Sequence, residues 1–96
     1  MAVNDIVTVA PTSVANNASL AIQPGAGAEW LIKNLYYGGA VEIYRTDGTN
    51  SIKIDSDGAT GGRFSASFLL TSSSYMTIKN VSGAAAYICY DGLVTK

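Results

Sequence analysis

The sequence contains no histidine and a single cysteine, Cys89. Without an imidazole, neither a Ser-His-Asp nor a Cys-His arrangement can form, and metal sites with histidine ligands are excluded as well. One cysteine allows no disulfide within the chain. Cys89 lies in the segment Tyr87-Ile88-Cys89-Tyr90, which is typical of a strand, so we expect a buried and unreactive thiol.

Acidic residues are few and dispersed; they are Asp5, Glu29, Glu42, Asp47, Asp55, Asp57 and Asp91. Two carboxylates that face a shared cleft could hydrolyse a glycoside, so a small glycosidase-like enzyme is one alternative. Most of these residues fall at turns or on the polar face of a strand, where Asp is common because it forms local hydrogen bonds. The sequence therefore predicts a protein that is not an enzyme and has no catalytic residues.

A calcium-binding pattern begins at residues 55–58, Asp-Ser-Asp-Gly, but is not completed. A full calcium loop needs a Glu at its last ligand position, and Ala66 occupies that position here. We therefore predict no metal site and no bound cofactor. A looser calcium site, built from residues 47–50 and 55–58 together, is the alternative that the sequence leaves open.

Charge is scarce, at 14% of residues against roughly 25% in ordinary soluble domains. The six basic residues are scattered and the formal net charge is −1, so the concentrated positive surface that nucleic acids or membranes require is missing. Charged residues are depleted at the centres of subunit interfaces. This composition favours permanent contacts with other protein subunits, and we expect a homo-oligomer.

Long apolar runs are also missing, and none approaches the ~20 residues that span a membrane. The first six residues contain neither the basic stretch nor the apolar core of a signal peptide. We therefore expect no membrane partner and synthesis in a cytoplasm.

What the sequence does contain is a series of short β-branched or aromatic runs separated by Gly, Asp, Asn and Ser. About eight such runs occur at the regular spacing of a β-sandwich or barrel. The pattern predicts an all-β fold, a small antiparallel β-sandwich of jelly-roll type. Residues 1–20 are predicted to form an extended N-terminal arm or a first strand, and residues 21–96 the sandwich domain.

The strongest local prediction is a β-hairpin over residues 40–55, with a tight turn at Asp47-Gly48. On its second strand, Ile52 and Ile54 are expected to face inward. Asp91-Gly92 is expected to form another turn.

Two further segments are predicted from alternation alone. In residues 29–35, Trp30 is expected on one face, with Leu35 on the opposite face beside Leu31 and Lys33. Residues 64–70 are expected to form one strand that places Phe64 in the core.

Exposed aromatic residues are the candidates for a binding surface. Two adjacent tyrosines in a strand cannot both point inward, so Tyr36 or Tyr37 should be exposed or covered by a partner. Tyr44 and Trp30 complete the predicted interface residues, because Tyr and Trp are favoured anchors of protein interfaces. The alternatives are that Trp30 is simply part of the core, or that the aromatic rings stack on sugars.

The chain from Trp30 to Lys96 resembles small tailed-bacteriophage virion proteins. The segments that carry the resemblance are residues 29–34, 41–45, 47–49, 78–80, 82–84 and 90–92. The resemblance implies a capsid decoration protein that binds the major capsid protein or another virion protein and stabilises the assembled head. It also implies a homotrimer located in the virion after synthesis in the host cytoplasm. A tail or fibre component, or a carbohydrate-binding module for attachment to the host surface, is the alternative function.

Overall fold

The computed structural model describes residues 2–96, and in that range the chain forms nine strands and no helix. The strands are β1 (Ile6–Val14), β2 (Ser19–Ile22), β3 (Glu29–Tyr37), β4 (Val41–Thr46), β5 (Ser51–Asp57), β6 (Gly61–Arg63), β7 (Phe68–Thr71), β8 (Tyr75–Asn80) and β9 (Ala86–Val94). No helix in these residues is therefore available to cross a membrane.

The nine strands form two antiparallel sheets. One sheet has the order β1-β9-β3-β6, with β7 also paired to β3, and the other has the order β2-β8-β4-β5. The chain passes from one sheet to the other between β1 and β2, β2 and β3, and β3 and β4, which is the winding of a jelly roll. The predicted all-β sandwich is confirmed, with nine strands in the described residues where about eight were predicted.

Strict alternation of side chains places the core between the sheets. On β9, Ile88, Tyr90 and Val94 are buried, whereas Tyr87 and Leu93 point outward and are exposed. In the other sheet, the interior strand β8 alternates in the same way. Each fully buried aliphatic side chain contributes about 1.5–3 kcal/mol relative to its exposed state, so alternation fixes which face of each sheet is inside.

A β-bulge in β3 reverses the alternation along that strand. The pairing with β9 shifts between Ile32 and Asn34, and both Ile32 and Leu35 are completely buried. The prediction that Leu35 shares a face with Leu31 and Lys33 is wrong, because the extra residue of the bulge turns the rest of the strand over.

The predicted strand over residues 64–70 is interrupted. β6 ends at Arg63 and β7 begins at Phe68, and between them Ser65 has a φ of 54°, in the left-handed region that a strand does not accommodate. Phe64 is therefore outside the core, with 64% of its surface exposed.

The hairpin predicted over residues 40–55 is confirmed as β4 and β5. Gly48 has a φ of 95°, and the Asp47 carboxylate accepts hydrogen bonds from the N–H groups of Thr49 at 2.8 Å and Asn50 at 2.7 Å. A glycine and a side chain that binds the turn's own backbone are the two requirements of a tight turn, and both are visible in the sequence.

The inward direction predicted for Ile52 and Ile54 is wrong. Ile52 is 64% exposed and Ile54 is 44% exposed. Both lie on β5, an edge strand, and Ile54 is skipped where the pairing passes from Lys53 to Asp55. A bulge and an open flank therefore leave these two side chains in solvent.

β1 forms one edge of the five-stranded sheet through its pairing with β9. Its register shifts between Val9 and Thr12, a stretch that contains Pro11. Proline is accommodated there because a bulge on an edge strand does not require its missing N–H group. The division at residue 20 into an arm or first strand and a sandwich stays a prediction.

Asn80 ties the two sheets together inside the molecule. This wholly buried residue of β8 donates through Nδ2 to the carbonyl oxygens of Val14 on β1, at 2.8 Å, and Ala84, at 2.7 Å. Its Oδ1 accepts from the N–H and the hydroxyl of Ser82 at 2.9 and 2.7 Å. In the part of the chain described, no buried side-chain polar atom lacks a partner.

Candidate functional site

The outward side of the five-stranded sheet, here called the outer face, carries an aliphatic row. Ile6 on β1 pairs with Leu93 on β9, Leu93 pairs with Leu31 on β3, and Leu31 pairs with Leu69 on β7. Directly opposed residues on adjacent strands lie on the same side of a sheet, so four aliphatic side chains cross four strands in one line.

Solvent covers much of this aliphatic row in the single chain. Ile6 is 72% exposed, Leu69 is 63% exposed and Leu93 is 37% exposed. Apolar residues scattered singly on a surface are ordinary, whereas contiguous ones mark sites of contact with other molecules. The aliphatic row is therefore the first element of a candidate interface.

A polar row lies next to the aliphatic row and consists of Thr8, Asp91, Asn34 and Lys33. The bulge in β3 brings two consecutive residues, Lys33 and Asn34, to this side of the sheet. Together with Ile6 and Leu93, the polar row lines a shallow hollow of about 420 Å³.

The Asp91 carboxylate is fixed within the hollow by two neutral donors. Asn34 Nδ2 donates to Oδ1 at 2.6 Å, and the Tyr36 hydroxyl donates to Oδ2 at 2.8 Å. Among residues 2–96, no cation lies within 4.0 Å of this carboxylate, and no carboxylate lies within 4.0 Å of the Lys33 ammonium. The polar row thus holds one anion and one cation without an ion-pair partner in the described chain.

An aromatic row borders the hollow on the side away from the aliphatic row. Tyr36 pairs with Cys89 across β3 and β9, and the Tyr36 ring lies 5.7 Å from that of Phe64, centroid to centroid. A Cβ atom on Gly62 would lie 2.7 Å from the Phe64 ring, so this glycine leaves room for the ring over β6. The outer face therefore runs from aliphatic through polar to aromatic.

Two ionisable groups of the aromatic row are held in their neutral forms. The hydrogen bond to Asp91, followed by burial, raises the pKa of Tyr36. Burial, followed by the negative charge of Asp91, raises the pKa of Cys89, which is half-buried. A thiol with a raised pKa is a poor nucleophile, so this part of the outer face offers contact area rather than reactivity.

The four predicted interface residues do not come together. Tyr36 lies on the outer face, but its neighbour Tyr37 is buried on the inner side, with 3% exposure. Trp30 is partly buried and packs against the core. Tyr44 lies on the four-stranded sheet and donates a hydrogen bond to Glu42 at 2.7 Å.

The two carboxylates of the incomplete calcium pattern are used to join the sheets. Asp55 Oδ2 accepts from Arg63 Nε at 2.6 Å, and Asp57 Oδ2 accepts from the Tyr37 hydroxyl at 2.7 Å and from Arg63 Nη1 at 3.3 Å. Arg63 and Tyr37 belong to the five-stranded sheet, whereas both Asp residues belong to β5 of the other sheet. Within residues 2–96, no group of three His, Cys, Asp or Glu side chains is placed to hold a metal ion.

Burial raises the pKa of Tyr37 to about 12, with the hydrogen bond to Asp57 as the second cause. The hydrogen bond from Tyr37 lowers the pKa of Asp57, and the hydrogen bond from Arg63 lowers the pKa of Asp55. All three groups therefore stay in one protonation state at neutral pH, which is suited to a structural link and not to proton transfer.

The sequence predictions missed the aliphatic row because it depends on pairing between distant strands. Ile6 and Leu69 are 63 positions apart in the chain, as their numbers show, and meet the same row only through β9 and β3. Alternation within a strand identifies two faces but does not say which is outside or how strands are aligned. One signal in the sequence could have indicated the aliphatic row: two consecutive apolar residues in a strand, such as Leu69 and Leu70 in β7, must place one apolar side chain on each face of the sheet.

Comparisons with known proteins identify a fold but no family. No family model matches this sequence, and no curated protein is similar to it at the level of sequence. Among solved structures, the chain is similar to the NLP-core of Drosophila, whose crystal structure gives insight into pentamer formation and histone binding. The TM-score is 0.53 at 18% identity, and the alignment covers 95% of this chain and 98% of that one.

The predicted function is contradicted by this comparison. A capsid decoration protein of a bacteriophage virion does not fit a neighbour that forms pentamers and binds histones, so that prediction is wrong. The alternative of a tail component or carbohydrate-binding module has no support either. The comparison establishes that this chain shares the β-sandwich fold of the Drosophila NLP-core.

Proposed function

We propose that this chain is a non-enzymatic assembly domain that associates with further copies of itself through the outer face. The observation that carries the proposal is the aliphatic row, Ile6, Leu93, Leu31 and Leu69, which crosses four strands on the outward side. Burial of such a row removes apolar surface from water, and this is the main favourable term in protein association.

The composition of the chain supports self-association. Charged residues make up 14% of the sequence, and interface centres are poor in charge because desolvating it is costly. The Drosophila NLP-core, which has the same fold, is described in terms of pentamer formation. A jelly-roll sandwich of this size can therefore serve as the subunit of a homo-oligomer.

Histone binding is not carried over to this chain. A strongly basic partner calls for a concentrated negative surface. The formal net charge here is −1, and two of the seven acidic residues, Asp55 and Asp57, already pair with Arg63. The proposed partner is another copy of the chain.

Substitution of Leu69 by Asp tests the proposal. Leu69 is 63% exposed on the four-residue strand β7, so the change should leave the fold intact while placing a charge in the aliphatic row. We expect an oligomer in the wild type and a dissociation constant weakened about 100-fold in Leu69→Asp, measured by sedimentation equilibrium or light scattering.

Ala21→Asp is the matched control, since Ala21 is an exposed residue of the four-residue edge strand β2 on the other sheet. Its association should equal that of the wild type. A wild type that stays monomeric at high concentration, or equal weakening by the two variants, would overturn the proposal.

A further inference from the structure

We infer that two copies of the chain pair face to face about a two-fold axis through the polar row, so that Lys33 of each copy meets Asp91 of the other. This inference rests on the proposed function and deepens it by naming the symmetry and the contacts. Its occupant is a second copy of the chain.

Charge complementarity is the first argument. Lys33 and Asp91 both line the hollow, and in the described chain neither forms an ion pair. Covering an unpaired charge with a partner surface is costly, so an interface over the hollow needs an opposite charge for each. An identical face rotated by 180° supplies both, because in a two-fold contact residue i meets j and j meets i.

The second argument is that the Asp91 carboxylate is pre-organised. Its two oxygens are held by Asn34 at 2.6 Å and by Tyr36 at 2.8 Å, and both donors are uncharged. The carboxylate is thus held in a fixed position, and its conformational entropy is already lost before any partner binds. Such pre-organisation reduces the cost of forming an ion pair across an interface.

The order of the rows is the third argument. A two-fold axis that lies between the two faces, parallel to the strands and midway between Lys33 and Asp91, exchanges the positions of these two residues along the polar row. The aliphatic row of one copy then covers the aliphatic row of the other, and the aromatic row covers the aromatic row. One rotation therefore buries apolar surface against apolar surface on both sides of the two ion pairs.

A cyclic ring makes a different demand on the surface. Its contacts join two different patches of each copy, whereas a two-fold contact uses one self-complementary patch. The anion, the cation, the aliphatic row and the aromatic row all lie on the same side of one sheet. This placement favours the two-fold pair.

Charge reversal in separate chains tests the inference. Lys33→Glu alone should place a second carboxylate against Asp91 of the other copy, and Asp91→Lys alone should place two ammonium groups together. Each variant is expected to weaken its own dimer about 100-fold, because like charges opposed across an interface are strongly unfavourable. An equimolar mixture should restore a dimer. In the mixed pair, each of the two contacts between positions 33 and 91 joins a carboxylate to an ammonium group.

Native mass spectrometry measures both stoichiometry and composition. A wild-type mass of two chains, with a mixed dimer recovered from the two variants, is the expected result. Charge reversal that leaves association unchanged, or a ring of three or five chains, would overturn the two-fold inference. If Leu69→Asp still dissociates the assembly in that case, the proposed function stands while the inference fails.

Comparison of Lys33→Gln with Lys33→Glu guards against a misfolded Asp91→Lys. Gln removes the attraction and Glu adds repulsion, so Glu should weaken the dimer more, and the difference should shrink in 1 M salt. Equal dissociation constants for these two variants would also contradict the inference. Circular dichroism shows that each variant is folded before its association is measured.

Discussion

The outward sides of the two sheets differ in the ion pairs that they form within one chain. On the four-stranded sheet, Lys53 pairs with Glu42 at 3.5 Å and Tyr44 donates to the same carboxylate at 2.7 Å, with Thr77 beside them on β8. This side therefore carries an ion pair formed within one chain, although Lys79, opposite Glu42 on β8, forms none in residues 2–96. The outer face of the five-stranded sheet instead combines exposed aliphatic side chains with a cation and an anion that find no ion-pair partner in the described chain. The proposed contact with a second copy would supply the ion-pair partners that the outer face lacks in a single chain.

Both sheets contain a β-bulge, and the one in the four-stranded sheet lies in β5, but the bulges of the five-stranded sheet act on the outer face. The five-stranded sheet has register shifts in β1 and in β3, on both sides of β9. The shift in β3 lets Lys33 and Asn34 share one side of the sheet, which regular alternation forbids. Bulges therefore shape the hollow on the outer face.

Gly92→Ala should have the largest effect on this comparison. A Cβ atom at Gly92 would lie only 2.2 Å from the Leu31 carbonyl oxygen and 2.7 Å from Ile32 Cα, so β3 and β9 would have to separate. We expect the free energy of unfolding to fall by about 3 kcal/mol, measured by urea denaturation.

Gly58→Ala is the matched control. Gly58 follows β5 of the other sheet and has no atom within 4 Å of the Cβ position. Its free energy of unfolding should stay within about 0.5 kcal/mol of the wild type. Equal destabilisation by the two substitutions would show that the close approach at the bulge does not distinguish the two sheets.

Gly92 is also a residue whose structural role the sequence did not predict. Asp91-Gly92 is a common turn pair, and a turn was predicted, but β9 runs unbroken from Ala86 to Val94. The glycine is needed for a close approach of a distant strand, which leaves no local mark in the sequence. The hairpin of β4 and β5 was predicted because its turn residues act within four positions of each other.

The candidate site was harder to predict than the fold for the same physical reason. Alternation and turn residues are local, and they were enough for an all-β sandwich. Of the predicted interface residues, Tyr36 alone lies on the outer face, because its selection used residue type and position in one strand. The aliphatic row requires the register of four strands, which tertiary packing decides.

A smaller effect is expected from loosening the link between the sheets. Arg63 joins the five-stranded sheet to Asp55 and Asp57 on β5. Its hydrogen bond lowers the pKa of Asp55, and the hydrogen bond from Tyr37, with a smaller contribution from Arg63, lowers the pKa of Asp57. Carboxyl groups with a lowered pKa in the folded state stabilise it above their unfolded pKa of about 4, and this stability is lost as pH falls through the folded pKa. The wild-type Tm should therefore fall between pH 6 and pH 3.

Arg63→Gln should lower the Tm at pH 6 by about 5–10 °C and flatten its fall toward pH 3. Lys53→Gln breaks the exposed ion pair with Glu42 on the four-stranded sheet and should change the Tm by about 1 °C. Differential scanning calorimetry at several pH values measures both. A pH profile in Arg63→Gln as steep as that of the wild type would contradict the role of Arg63.

The smallest effect is expected from removing one tyrosine hydroxyl on each surface. Tyr36 donates to Asp91 on the outer face, and Tyr44 donates to Glu42 on the other surface. Tyr36→Phe leaves the Asp91 carboxylate with Asn34 as its remaining side-chain donor, whereas Glu42 keeps its ion pair with Lys53 in Tyr44→Phe. We expect the Tm to fall by about 3 °C in Tyr36→Phe and by about 1 °C in Tyr44→Phe. Because one of the two hydrogen bonds that hold Asp91 in position is then lost, Tyr36→Phe should also weaken self-association, and Tyr44→Phe should not. Equal association of the two variants would mean that the fixed position of Asp91 has no part in assembly.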